Sequence, residues 1–292
     1  MDSTIAERAG YRSDFLAVPV ALPAPSAGTP VRELSYTHFT VLLDPVRRLA
    51  LSTGVNIDGG SLYDLERGDD WHLDARVSES EQTGESVYAR NDLDRGHLVR
   101  RRDPVWGDRA TAMQANIDTF AYPNAAPQAN DFNQSKELWL GLEDHVLSYA
   151  QANRNRISVF TSPVLALNDP LYRGVGIPQA FWKVAVWTSA ATGTSALRSA
   201  GFVLDQSSQL TDIDLDDSSA QALIDGGPPP LGPYLSYQVP VEDIESLTGL
   251  DFGDLVGADV MGPVLAGRAD GSPRTGWVRL RSEDDISLEK AA

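Results

Sequence analysis

Apolar and polar positions along the chain fall into a few runs with clear periods. Tyr36 to Leu43 (YTHFTVLL) is rich in β-branched and aromatic residues, Asp44-Pro45 marks a turn, and Leu49 to Ile57 (LALSTGVNI) is a second such run closed by Asp58-Gly59-Gly60. Two runs of this kind about a short turn predict a β-hairpin. Further strands are predicted over Ile157 to Val164, Phe181 to Thr188 (FWKVAVWT) and Ala200 to Asp205. One segment keeps a different period: Phe132, Leu138, Trp139, Leu142, Val146 and Leu147 recur at helical spacing from Asp131 to about Gln151, which predicts an amphipathic helix. Val241 to Leu247 (VEDIESL) predicts a short second helix. The segment from 61 to 86 is polar, with an acidic loop at Ser78 to Glu85, and predicts an irregular connection. Residues 1–33, rich in Ala, Pro and Ser, predict an extended arm rather than a packed element. Asp212 to Asp217, followed by Gly226-Gly227-Pro228-Pro229-Pro230, predicts a solvated insertion, and the end from Val256 is weakly patterned. Strands of an antiparallel or mixed sheet with a few helices indicate a single α+β domain over 34–256, with an N-terminal arm over 1–33 and a C-terminal extension over 257–292.

Composition narrows the chemistry. The 292 residues carry 24 Lys plus Arg against 41 Asp plus Glu, a net charge of −17. A body this acidic does not coat nucleic acid or anionic membrane with its whole surface, so a site for a polyanion has to be local. No window is long and apolar enough for a transmembrane helix, and the apolar stretch from Phe15 to Pro25 is too short and proline-broken for a secretory signal. The sequence leaves the compartment open. With no Cys, disulfides, thiolate-bound zinc and thiol nucleophiles are excluded. Only four His are present, at 38, 72, 97 and 145. His38 lies in a strand pattern and is expected to be structural; His72 and His145 sit beside polar residues and are expected at the surface.

The stretch from Arg90 to Glu143 contains the residues that carry chemistry: Asp94-Arg95-Gly96-His97, Arg100-Arg101-Arg102, Asn124-Ala125-Ala126-Pro127-Gln128, Phe132-Asn133-Gln134 and Trp139-Leu140-Gly141-Leu142-Glu143. A guanidinium two residues from an imidazole pairs a phosphate-gripping fork with a group that takes a proton near neutral pH. Gly96 between them permits a tight backbone. The Asn133 amide and the Glu143 carboxylate are the oxygen donors a hard cation such as Mg²⁺ prefers. From Arg90 to Arg109 there are six Arg (90, 95, 100, 101, 102, 109) and four Asp (92, 94, 103, 108), a local positive excess on an acidic chain. A phosphodiester is the substrate these parts fit.

At these residues the chain resembles the DNA/RNA non-specific endonucleases. The D-R-G-H motif, the N-x-x-P-Q segment, an Asn followed by Gln and the W-x-x-L-E helix occur here in the family's order, and the likeness runs from about Tyr36 to Phe252. The resemblance implies a ββα-metal fold, an antiparallel central sheet flanked by helices, and Mg²⁺-dependent hydrolysis of DNA and RNA to 5′-phosphate ends, with Mn²⁺ a possible substitute. It implies that His97 is the general base, Arg95 a phosphate ligand, Asn133 the sole direct protein ligand of one metal ion, Glu143 the residue orienting water around it, and Asn124 an active-site residue. It also implies a homodimer. Asn133 and Glu143 are ten apart here, more than in the better-known members. Either two residues such as Ser135-Lys136 lie in a loop or bulge, or Glu137 takes over part of the role. The family's upstream phosphate-binding Arg has no clean match; Arg67 and Arg76, flanking Trp71, are candidates.

Blander readings stand beside these. Arg100, Arg101 and Arg102 are either a nucleic-acid contact or a solvated loop. Trp139 and Trp182 are expected in the core rather than under bases. The acidic run at 212–217 lacks the Gly and terminal Glu of a calcium loop. Two rival functions are an inactive nucleic-acid-binding module with the same fold, which the intact His97 and Asn133 disfavour, and a small-molecule phosphodiesterase. An unrestrained nuclease endangers its host, so an inhibitor or activating partner protein is a further expectation.

Overall fold

The structure, a computed structural model, describes residues 8–66, 68–129, 155–189, 196–212, 235–262, 276–281 and 285–288. The strands in chain order are β1 (Ala24–Pro25), β2 (Arg32–Ser35), β3 (Phe39–Asp44), β4 (Leu49–Asp58), β5 (Leu93–His97), β6 (Ala125–Ala129), β7 (Arg156–Val164), β8 (Leu171–Tyr172), β9 (Val175–Gly176), β10 (Ala180–Ser189), β11 (Ala196–Asp205), β12 (Leu235–Val239), β13 (Leu250–Asp251) and β14 (Val278–Leu280). The described helices are α1 (Glu85–Tyr88), α2 (Arg109–Asp118), α3 (Ser207–Asp212), α4 (Val241–Thr248) and α5 (Asp254–Gly257). The helix predicted from Asp131 to Gln151 lies outside the described residues.

Eight strands form one sheet in the order β14-β12-β11-β10-β7-β4-β3-β2, with every neighbouring pair antiparallel. The predicted hairpin is β3 and β4, in register Phe39↔Val55. Its turn is closed by Asp44, whose Oδ1 accepts from the amides of Val46 (2.7 Å) and Arg47 (2.9 Å), the local bond that suits Asp to turns.

The sheet is covered on both faces. In β10, Phe181, Ala185 and Trp187 join one apolar cluster, and the alternate residues Trp182, Val184 and Val186 join the other. Side chains alternate along a strand, so a run apolar at every position but the buried Lys183 and the terminal Thr188 is a strand with no wet face. This is why FWKVAVWT shows no polar alternation. Trp182 is fully buried, as expected.

The second face is covered by α4, by Leu250, Phe252 and Leu255, and by the N-terminal segment. That segment is extended, but it is packed. Phe15, Leu16 and Val20 are buried in the second cluster, Tyr11 donates its hydroxyl to the Val20 carbonyl, and the Arg12 amide donates to Asn56 Oδ1. β1 then pairs with β13. The expected arm is thus a strap, and its three large apolar residues explain why: burying each contributes on the order of 1.5–3 kcal/mol. In the weakly patterned C-terminal part, β14 pairs with β12 at the sheet edge. Among the described residues no helix is long and apolar enough to cross a membrane.

The first face carries a separate two-stranded sheet, β5 paired with β6 in register Leu93↔Ala129 to His97↔Ala125. Its apolar residues Leu93, Ala125, Ala126 and Ala129 pack into the first cluster. Gln206, fully buried, ties this hairpin to the sheet. Its Oε1 accepts from the Ala129 amide (3.0 Å), and its Nε2 donates to the carbonyls of Pro127 (3.3 Å) and Pro178 (2.6 Å).

Candidate active site

Arg95 and His97 lie two apart on β5, so both project from one face of the strand. What lies beneath them is aromatic. The His97 ring packs on Trp71 (centroids 4.6 Å) and edge-to-face on Phe120 (5.1 Å). Trp71 also contacts Phe120 (5.4 Å) and Tyr122 (5.8 Å), and Tyr122 stacks on Tyr88 (6.1 Å). Phe120, Tyr122 and Tyr88 are all buried. The imidazole is therefore half-buried and held by rings on two sides. This shelf helps to fix its orientation.

The Arg95 guanidinium lies at the Tyr122 end. Its Nη2 donates to Glu85 Oε2 (2.9 Å), and the Tyr122 hydroxyl donates to the same oxygen (2.7 Å). Burial and the neighbouring carboxylate push the Tyr122 phenol up to about 12, so it remains a donor at neutral pH. Arg95 Nε is buried and has no partner among the described residues. Leaving a charged donor unsatisfied is costly unless a ligand completes it.

Gly96 is required by its neighbour. A Cβ there would meet Gln128 Cδ and Oε1 at 2.1 Å and Cγ at 2.6 Å. The Gln128 side chain, 1% exposed, lies across the glycine, so the G of one motif and the Q of the other are two halves of one contact. Gly96→Ala is expected to push Gln128 out of its slot and destabilise the hairpin by roughly 1–3 kcal/mol, as overpacking does. Adding Gln128→Ala should recover much of that loss. Urea unfolding of the two variants checks this, and an additive double mutant would rule out the contact as the cause.

Asn124, expected in the active site, faces the interior. It is fully buried; its Oδ1 accepts from the Val99 amide, and its Nδ2 donates to the carbonyls of Val99 and Thr119, all at 2.9 Å. The whole amide is spent on main chain. Asn124 fastens the exit of β5 to the turn that leads into β6 and shapes the site from behind.

The three consecutive arginines do not share one environment. Arg100 and Arg102 are half-buried in the turn after β5. Arg101 Nη1 donates to the Leu65 carbonyl (2.9 Å) and to Asn116 Oδ1 (3.2 Å) on α2, so it braces the turn. Arg76, a candidate for the upstream phosphate ligand, is also engaged. It makes bonds to Asp74 (2.6 Å) and to the Ser35 carbonyl (2.7 Å), and it covers the Tyr36 ring. Arg67, the other candidate, lies outside the described residues. His38 is structural, as expected: Nδ1 lies 2.8 Å from the Pro104 carbonyl, the ring stacks on Trp106 at 3.5 Å, and burial holds it below the usual imidazole range. His72 is half-buried and bonded through its main chain to Phe120 and Tyr122.

Asn133, Glu143, Glu137, His145 and Trp139 lie outside the described residues. Among the described residues no three His, Asp or Glu converge as a cage for a cation. Mg²⁺, which keeps most of its water, does not need such a cage, and an amide and a carboxylate oxygen on the segment following β6 are donors of the right hardness.

Trp71, Glu85 and the pair Phe120 and Tyr122 come from three separate stretches, and neither periodicity nor motif spacing marks them. The one sequence signal is their place, with Trp71 between two arginines and Tyr122 just ahead of the N-x-x-P-Q segment.

A large antiparallel sheet with few helices, carrying this hairpin on one face, is similar to the ββα-metal nuclease fold. Residues 21–259 match the family described as DNA/RNA non-specific endonuclease, and the chain belongs to that family of phosphodiester hydrolases. It is similar to an uncharacterised protein of Sinorhizobium fredii, y4fB, 39% identical over 284 residues that cover 90% of this chain and 41% of that protein. It is also similar to a nuclease of Nostoc sp., 28% identical over 168 residues, covering 57% of this chain and 53% of that one. The chain thus spans about half the length of these relatives, or less. Among solved structures it resembles EndoG in the crystal structure of the EndoG/EndoGI complex, with a TM-score of 0.54 and 22% identity over 76% of this chain and 84% of that one.

Proposed function

We propose that the protein is a Mg²⁺-dependent endonuclease that cuts both DNA and RNA and leaves 5′-phosphate ends. The observation that carries this reading is Arg95 and His97 on one strand face, with the imidazole held by rings and Arg95 Nε buried and unspent. A phosphate oxygen is the acceptor that completes Arg95. His97, as its neutral imidazole, takes a proton from water as that water attacks phosphorus in line and the 3′-oxygen leaves. Arg95 balances the charge that builds on the phosphoryl oxygens. Magnesium, held by Asn133 with Glu143 on its surrounding water, would stabilise that charge and the leaving oxygen, and Mn²⁺ is a possible substitute. Arg100 and Arg102 supply positive charge for the backbone of the chain being cut, without reading its sequence.

Because water, not a ribose hydroxyl, is the nucleophile, matched DNA and RNA oligonucleotides should both be cut in Mg²⁺. Mass analysis should find 5′-phosphates on each. Uncut DNA, or cyclic phosphate on the RNA, would overturn the proposal; hydrolysis confined to a small phosphodiester would favour the small-molecule reading. The EndoG neighbour was crystallised with EndoGI in a study of EndoG inhibition. By the same logic we propose a protein inhibitor for this chain, and, from the family resemblance, a homodimer.

A further inference from the structure

We infer that Glu85 and Tyr122 are positioning residues for Arg95, which aim its guanidinium at the scissile phosphate through one shared carboxylate oxygen. This rests on the activity proposed above, and it concerns residues that no motif of the family includes.

Three elements converge on Glu85 Oε2. Arg95 comes from β5, Tyr122 from the turn ahead of β6, and Glu85 itself is the first residue of α1. An ordinary surface ion pair is worth little, because two long side chains must be frozen to make it. Here the cost is reduced on both sides. The Tyr122 ring is locked between Trp71 and Tyr88, and its hydroxyl pins the carboxylate at 2.7 Å. Glu85 is exposed on its other side, yet its working oxygen is fixed by two donors. The Arg95 side chain is only 29% exposed, with Nη2 spent on Glu85 and Nε left for another acceptor. One donor of the guanidinium is thus anchored by protein, and its orientation is set before substrate arrives. A guanidinium held this way meets the phosphate already oriented, a gain realised at the reacting step rather than in initial binding.

The test is a double-mutant cycle read as kcat and KM, together with the ¹⁵N signals of the Arg95 side chain. Glu85→Ala should lower kcat about 10- to 100-fold, the scale expected for a misplaced catalytic group, with little change in KM. Glu85→Gln keeps an oxygen that accepts from both donors and should recover most of the rate. In an Arg95→Ala background, Glu85→Ala should cost nothing further. In the protein without substrate, the Arg95 Nη resonances, assigned with Arg95→Lys, should show restricted rotation that Glu85→Ala and Tyr122→Phe abolish. An equal loss from Glu85→Ala with and without Arg95 would assign Glu85 a separate structural role and overturn the inference, as would Nη signals indifferent to Glu85. If the wild type cuts neither DNA nor RNA, the proposed activity fails, and the resonance readout alone decides the positioning.

Discussion

His97→Ala is expected to cut the rate of DNA hydrolysis by roughly 10²–10⁴-fold, the usual contribution of a positioned general base. The imidazole is held by Trp71 and Phe120 through its ring faces and edges, so its loss removes the base without removing a structural bond of Arg95. DNA affinity and Mg²⁺ dependence of binding should therefore persist, as measured by fluorescence anisotropy at fixed salt. A His97→Ala variant within a few-fold of wild type would exclude His97 as the base.

The second large effect is expected at Asn133. The family resemblance gives this residue the only direct protein bond to the metal, so Asn133→Ala should leave cleavage undetectable at low-millimolar Mg²⁺, and the thermal melting curve should be essentially unchanged. An ion with one protein ligand and a shell of water binds weakly. Chelation of the wild type should accordingly abolish activity, and fresh Mg²⁺ should restore it. Cleavage by Asn133→Ala at ordinary Mg²⁺ would move the metal to other ligands and unseat Glu143 with it.

Strands β3, β4, β7, β10 and β11 of the large sheet are legible because each is long and mostly apolar, whereas β2, β12 and β14 are short and mixed and leave no such run; the β3–β4 turn is legible because Asp44 closes it with its own carboxylate. Strands β5 and β6 carry no such signal. LDRGH has one large apolar residue, and AAPQA has a proline and no β-branched residue, so the strand conformation there comes from their mutual pairing and the clamps behind them. Helix α2 was missed for a related reason. Its buried positions are Ala112, Ala115 and Asp118, small or charged residues that leave no apolar stripe to count. The packed strap is invisible to periodicity because Phe15, Leu16 and Val20 dock singly, without a repeat. Motif spacing identifies Arg95, His97 and Asn124 as a group, but only three dimensions separate an Asn whose amide serves the main chain from a His whose ring rests on Trp71 and Phe120. The same holds for the three adjacent arginines, where Arg101 reaches Leu65 and Asn116 to brace the turn.

The two clamps of the hairpin also bear on how this family can diverge. Asn124 and Gln206 grip only amides and carbonyls, of Val99, Thr119, Pro127, Ala129 and Pro178. Every residue offers those groups, or at least a carbonyl, whatever its side chain. Substitutions at the gripped positions can accumulate without shifting the strand that bears Arg95 and His97, provided the two amide side chains stay. The scaffold of the site is therefore free to drift in sequence while its catalytic register is inherited unchanged.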